Sequence, residues 1–254
     1  MKRLENRVVL VAGAGAIGGA LARRYAQDGA CVVLGDIDLA AASVVVDTIT
    51  GDGDRAVAVH LDGSDEPSIA RAIAACRDTY GGLDGLHVNF AAFEDNEADL
   101  GVMELPLPRF DELMHVNVRG YLLCTRHALP EIIARGGGAI LYTSSVAAYI
   151  AGKQRVGYAM GKAAVLALMR HVAARHGPDG VRANAVVPGY VRRPGQDDVF
   201  NPALVERATS IAMIKSRIGE PHDVASLSAL LMSDEGSFIT GQSIAVDGGV
   251  TFRP

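Results

Sequence analysis

Residues 8–18 read VVLVAGAGAIG: an apolar run of strand length, then Gly13-Ala14-Gly15-Ala16-Ile17-Gly18 in the spacing GxGxxG, opening a stretch with helical periodicity over 17–27. Glycines at these positions let the chain turn tightly. They also bring backbone N–H groups up to a pyrophosphate, whose charge then rests at the positive end of the following helix. A second apolar run, 31–35, ends at Asp36, 18 residues after Gly18. Strand, glycine turn, helix, strand and acid in that order form a dinucleotide-binding unit, where the motif alone would be weak. The candidate cofactor contacts here are Gly13, Gly15, Ala16, Ile17, Gly18 and Asp36. The Asp36 carboxylate can accept both ribose hydroxyls of NAD and would repel the additional phosphate of NADP. Ala14 to Ala16 supply no arginine to hold that phosphate, so NAD is favoured and NADP is the less favoured cofactor.

Outward from this unit the pattern repeats. Apolar runs recur at 7–12, 31–35, 56–61, 85–89, 139–143, 181–187 and 243–246, continuous rather than alternating, as in strands covered on both faces. Helical periodicity separates them, at 17–27, 67–80, 110–133, 156–176 and 221–232. The expected fold is α/β: a Rossmann-like, doubly wound parallel sheet of about seven strands with helices on both faces. Asp65 and Glu66 before Pro67 mark a helix start, and Gly29 marks a helix stop. No linker-like or low-complexity stretch divides the chain, so residues 1–254 read as a single dinucleotide-binding domain. Two stretches, around 93–109 and 189–212, follow strand C-termini, where open α/β sheets bind ligands, and are the candidate substrate loops.

Composition narrows the partners. With 49% hydrophobic and 21% charged residues the chain can fill a core, and a net charge of -5 lacks the basic excess that nucleic acid or an anionic bilayer attracts. Cys31, Cys76 and Cys124 are far apart and outside any CxxC spacing, which indicates neither a disulfide framework nor a thiolate metal site and fits a reducing cytoplasm. No HExxH is present, and no metal is expected. Lys2 and Arg3 ahead of the apolar stretch 8–22 imitate a secretion signal. Glu5, Asn6 and the glycine-alanine run from Ala12 argue for a strand and turn instead.

The chemistry is carried further along. Tyr158-Ala159-Met160-Gly161-Lys162 puts a phenol and an amine four residues apart on one helix face, where an ammonium favours the phenolate and lowers the tyrosine pKa. Ser145, 13 residues upstream, ends the run 139–143, with its hydroxyl directed into the cofactor cleft.

With Asp62 after the third strand, Asn117 in HVNVRG, Ser145, Tyr158 and Lys162, NAVVPG at 184–189 and the tail ITG…VDGG, the chain resembles the short-chain dehydrogenase/reductase family over essentially its whole length. The resemblance implies a catalytic tetrad of Asn117, Ser145, Tyr158 and Lys162. It implies that Asp62 caps the adenine side, that Asn89 and Ala91 border the cofactor, and that Pro188, Gly189 and Val191 face the nicotinamide. It also implies a homotetramer. The chain departs from the family pattern in a glycine turn one residue shorter, in Asn89-Phe90-Ala91-Ala92 where NNAG is usual, and in Gly161 where serine is frequent.

The expected reaction is hydride transfer between nicotinamide and a secondary alcohol or ketone. Tyr158 would be the general acid/base, Ser145 would hydrogen-bond the substrate oxygen, Lys162 would hold nicotinamide-ribose hydroxyls, and Asn117 would anchor a water leading to Lys162. The alternative is a non-catalytic NAD(H)-binding sensor or scaffold on the same fold, in which decay of the tetrad is expected. For the substrate, Arg192, Arg193 and Gln196 on one side and Lys153, Gln154 and Arg155 on the other suit a carboxylate or polyhydroxylated compound. Phe93, Tyr149, Ile150 and Val156 suit an apolar cyclic alcohol.

Overall fold

The computed structural model describes residues 2–93, 101–150, 152, 155–193 and 202–252. Among these, seven strands form one parallel sheet: β1 (Val8–Ala12), β2 (Cys31–Asp36), β3 (Arg55–His60), β4 (Gly85–Val88), β5 (Gly138–Thr143), β6 (Val181–Pro188) and β7 (Ser243–Val246). Their order is β3-β2-β1-β4-β5-β6-β7, so the direction of winding reverses between β1 and β4. There the C-terminal ends leave a crevice, as the sequence requires of a doubly wound sheet.

Side chains alternate across the sheet into two apolar layers. Val8, Leu10 and Ala12 of β1, with Ile140 and Tyr142 of β5, enter one layer. Val9 and Val11, with Ala139 and Leu141, enter the other. The first is covered by α3 (Glu66–Tyr80), α5 (Tyr121–Ala134) and α6 (Val156–His176), the second by α1 (Ala16–Gln27), α2 (Leu39–Gly51) and α8 (Pro221–Met232). β1 is buried at every residue, whereas the edge strands β3 and β7 are only partly covered.

Three elements differ from the sequence reading. α2 escapes the periodicity because Val44, Val45, Val46, Thr48, Ile49 and Thr50 are β-branched, which favours strand over helix locally. The Asp38 side chain starts it by accepting from Ala41 N at 3.0 Å. The expected continuous helix over 110–133 is three pieces: α4 (Leu107–Met114), a π-helical segment (His115–Gly120) and α5. Within the expected substrate loops, α4 begins at Leu107 and Pro202–Ile211 forms α7, while 94–100 and 194–201 lie outside the described residues.

Candidate active site

The turn after β1 is built around what a side chain would hit. Gly13 has φ +108°, and a Cβ there would stand 2.6 Å from Phe90 N. A Cβ on Gly18 would stand 1.7 Å from the Gly13 carbonyl oxygen, so the first turn of α1 packs directly on the glycine turn. Gly15 differs, since a Cβ there would meet nothing within 4 Å. It is the N-cap of α1 and offers no side-chain cap, with Ala16 and Ile17 opening the helix behind it. Two glycines serve packing and one faces open space at a helix N-terminus, an arrangement that fits a pyrophosphate.

Asp36 stands beside this turn at the end of β2. Its Oδ2 accepts from Ala14 N at 2.6 Å and its Oδ1 from Asp38 N at 2.9 Å, and carboxylate oxygens so engaged retain lone pairs for ribose hydroxyls. Asp62, just past β3, accepts at Oδ1 from the Ser64 hydroxyl (2.6 Å) and Ser64 N (2.8 Å), and that hydroxyl holds its carboxyl below the usual range. Asn89 Nδ2 donates to the Gly13 carbonyl at 3.3 Å, and Ala91 lies two residues further on. Pro188 ends β6, Gly189 packs on Asp247, where a Cβ would approach to 2.9 Å, and Val191 bridges to Gly219. These groups follow the C-terminal ends of their strands and so share one edge of the sheet.

Ser145 follows β5 and N-caps the short 3-10 turn Val146–Ala148, its Oγ accepting from Ala147 N at 3.2 Å. It is also near enough to Tyr158 to favour the ionised phenol. α6 is pinned beside it, because Ser144 Oγ donates to the Lys162 carbonyl at 2.8 Å. Gly161 lets α6 approach the π-helical segment, since a Cβ there would already be 3.1 Å from Asn117 Cβ. Asn117 is fully buried and its amide is spent on Ala92, with Oδ1 accepting from Ala92 N and Nδ2 donating to Ala92 O, each at 2.9 Å. The side chain thus clamps the chain leading to Phe93. That ring stacks on Tyr158 with centroids 5.3 Å apart, and the Arg193 guanidinium lies 5.3 Å from the Phe93 centroid.

The tetrad residues come together, but not with the electrostatics expected from their spacing. Burial pushes the Tyr158 phenol above its ordinary value, outweighing the neighbouring Ser145 hydroxyl and the charges of Arg155 and Arg193. The Lys162 amine stands 5.8 Å from the Tyr158 ring centroid and donates elsewhere, to Tyr121 Oη at 2.8 Å and the Thr143 carbonyl at 2.9 Å. Fully buried, it is brought down to about 7. Arg155, whose charge acts on Tyr158, is held at φ +63° immediately before α6. Arg192 pairs with Glu220 at 3.8 Å. Lys153, Gln154 and Gln196 lie outside the described residues.

Two residues went unrecognised in the sequence. Thr143 accepts the Lys162 bond on its carbonyl and donates its hydroxyl to Asn89 Oδ1 at 3.0 Å, joining the lysine to the cofactor turn. Tyr121 follows Asn117 by four residues, one helical turn, in an otherwise apolar stretch, and that placement was the available signal.

A family model described as enoyl-(acyl carrier protein) reductase matches residues 11–251. A probable short-chain type dehydrogenase/reductase of Bradyrhizobium diazoefficiens is 37% identical, over 98% of this chain and 89% of that protein. A cis-4-hydroxycyclohexanecarboxylate dehydrogenase of Sinomonas cyclohexanicum is 35% identical over 97% of each. The crystal structure of a dehydrogenase/reductase from Sinorhizobium meliloti superposes with a TM-score of 0.90 at 31% identity, covering 98% of this chain and 96% of that one.

Proposed function

We propose, from the premise that the chain belongs to the short-chain dehydrogenase/reductase family, that it is an NAD-dependent dehydrogenase of secondary alcohols carried on a six-membered ring. The observation that carries this reading is the Tyr158 ring stacked on Phe93 with Ser145 beside its phenol, on the same sheet edge as the Gly15 cradle and Asp36. When bound, the dinucleotide supplies the hydride acceptor. Asp36 would hold its adenosine ribose and the α1 N-terminus its pyrophosphate. Ser145 orients the substrate hydroxyl, and Tyr158 takes its proton during oxidation and returns one during reduction. Arg155 and Arg193 supply positive charge that partly offsets the burial of the Tyr158 phenol, and Lys162 would hold the nicotinamide-ribose hydroxyls. Asn117, through Ala92, fixes the segment that brings Phe93 over Tyr158.

Two features support a ring substrate. Phe93 offers a flat apolar face beside the proton-transferring oxygen, and one relative is named for a hydroxycyclohexanecarboxylate. The Arg193 guanidinium, 5.3 Å from the Phe93 centroid, would pair with a substrate carboxylate. The test is a panel of cyclohexanol, cis-4-hydroxycyclohexanecarboxylate, an open-chain alcohol and an enoyl thioester. Each is assayed with both dinucleotides by absorbance of the reduced cofactor. Oxidation of the ring alcohols with NAD is expected. Arg193→Ala should then lower kcat/KM roughly tenfold or more for the carboxylate and leave cyclohexanol nearly unchanged, since a charge-assisted hydrogen bond contributes about 1.5–3 kcal/mol. Preference for NADP, or turnover of the enoyl thioester alone, would overturn the reading.

A further inference from the structure

We propose that Tyr121 is a positioning residue for Lys162, its hydroxyl oxygen holding the Nζ atom at a fixed point between Thr143 and Tyr158. The proposal rests on the role given to Lys162 above. Tyr121 opens α5, directly after the π-helical segment that carries Asn117, and it is fully buried. Its hydroxyl stands 2.9 Å from the Phe90 carbonyl and 3.2 Å from the Thr143 carbonyl. Carbonyls only accept, so the single Tyr121 proton is committed to them. The oxygen therefore presents lone pairs, not a hydrogen, to the Lys162 amine 2.8 Å away. The ring adds to this, with Nζ 4.8 Å from its centroid.

The ring is itself fixed. Phe90 meets it edge-on at 5.2 Å and Tyr142 stacks at 6.3 Å. Gly63 and Gly120 make the space, because a Cβ on either would stand 2.6 Å or 3.1 Å from the Phe90 ring. The Tyr142 hydroxyl bonds Thr125 Oγ1 at 2.8 Å, and Thr125 Oγ1 donates to the Tyr121 carbonyl at 2.7 Å. An aromatic that merely filled the core would need none of the three bonds to the Tyr121 hydroxyl.

Position governs charge here. Burial depresses the amine to about 7, so its ammonium form is close to balanced with the neutral form at physiological pH. An acceptor toward Nζ favours the ammonium, and its removal lets burial depress the amine further. The titratable groups around Nζ are Tyr121 on α5 and Tyr158 on α6, with Cys124 and Tyr142 beside Tyr121, and Arg155 and Arg193 beyond Tyr158.

The test uses the full-length protein labelled with 13Cε-lysine, with the Lys162 signal assigned by its loss in Lys162→Met. Its titration is followed by NMR without substrate or dinucleotide, so the outcome is independent of whether the chain oxidises an alcohol. The wild-type signal should titrate near 7. Tyr121→Phe should lower that midpoint by about one pH unit or more. Tyr142→Phe, which removes a buried hydroxyl from the same layer but not from Lys162, should leave it in place. Equal midpoints in wild type and Tyr121→Phe, or equal shifts in the two variants, would overturn the proposal. So would a wild-type midpoint near 10.5, a result that needs no variant to fold.

Discussion

A methyl group added at position 15 meets open space, whereas one added at position 18 lands 1.7 Å from a carbonyl oxygen. The two glycines of one motif therefore predict different failures. Gly15→Ala keeps an ordinary backbone conformation and should leave the melting temperature within about 2 °C, while weakening NADH binding by occupying the phosphate space. Gly18→Ala forces α1 away from the turn and should cost both stability and binding. Thermal melts paired with NADH fluorescence titrations separate the cases, and unaltered NADH affinity in Gly15→Ala would remove the pyrophosphate from this cradle. Tyr158 makes the complementary prediction. Tyr158→Phe retains the ring under Phe93 and loses only the phenolic oxygen, so NADH should still bind. Turnover should fall ~100-fold or more, the usual worth of a positioned acid/base. Residual activity above about a hundredth would move the proton transfer to another group.

At the scale of elements, the proposed catalytic residues are held by two close approaches between chain segments. Ser144 ties the end of β5 to α6, and Gly161 admits the π-helical segment against the same helix. Gly161→Val should push α6 off Asn117, release Ala92 and unstack Phe93 from Tyr158. The expectation is a destabilisation of about 1–3 kcal/mol, as for overpacked cores, with a drop in kcat larger than the rise in dinucleotide KM. A fall in stability with kinetics unaltered would show that the approach serves packing alone. The same elements explain what the sequence could reveal. β1, β2 and β5 were legible because burial on both faces leaves an apolar run, and β6 because Ala185, Val186 and Val187 continue one past Arg182 and Asn184. The glycine turn and the Tyr158–Lys162 spacing were legible because their geometry is local. α2 was hidden by its β-branched residues, and the break at His115–Gly120 is a change of helical pitch without a glycine-proline signal at its start. The Lys162–Tyr121 bond joins residues 41 apart, so no spacing rule reaches it, and the notion that Lys162 acts directly on the phenol came from sequence proximity alone.

Across the whole molecule, a buried polar chain crosses the centre of the sheet. Tyr25 Oη bonds His87 Nδ1 at 2.7 Å, His87 Nε2 bonds Thr143 Oγ1 at 2.9 Å, and Thr143 leads through Asn89 to Gly13. The Thr143 hydroxyl gives its proton to Asn89 Oδ1, so it accepts from His87 Nε2–H, and Nδ1 accepts from Tyr25. This fixes a neutral imidazole, and burial lowers His87 from 6.5 to about 3. Lys162, lowered from 10.5 to about 7, is a second buried base. Between each pair of values the unfolded chain binds a proton that the folded chain refuses, so stability rises with pH across both windows. Buried Cys76 and Cys124 act in the opposite sense. Raised from 9.0 to about 12, they keep protons that the unfolded chain loses above about pH 9. Stability should therefore rise from about pH 7 and peak near pH 9, where the cysteines begin to outweigh Lys162. On the acid side His87 alone contributes a loss approaching ~1.4 kcal/mol per pH unit below 6.5, or about 2 kcal/mol by pH 5. Denaturant unfolding at pH 5.0, 6.5 and 8.0 measures this slope. His87→Gln, whose amide can still bond Tyr25 and Thr143 but cannot titrate, should be less stable than wild type at pH 8 and should lose much less on acidification. If wild type and His87→Gln decline in parallel from pH 6.5 to 5.0, the acid sensitivity lies in other groups and the neutral imidazole is not what the sheet's polar chain is built to hold.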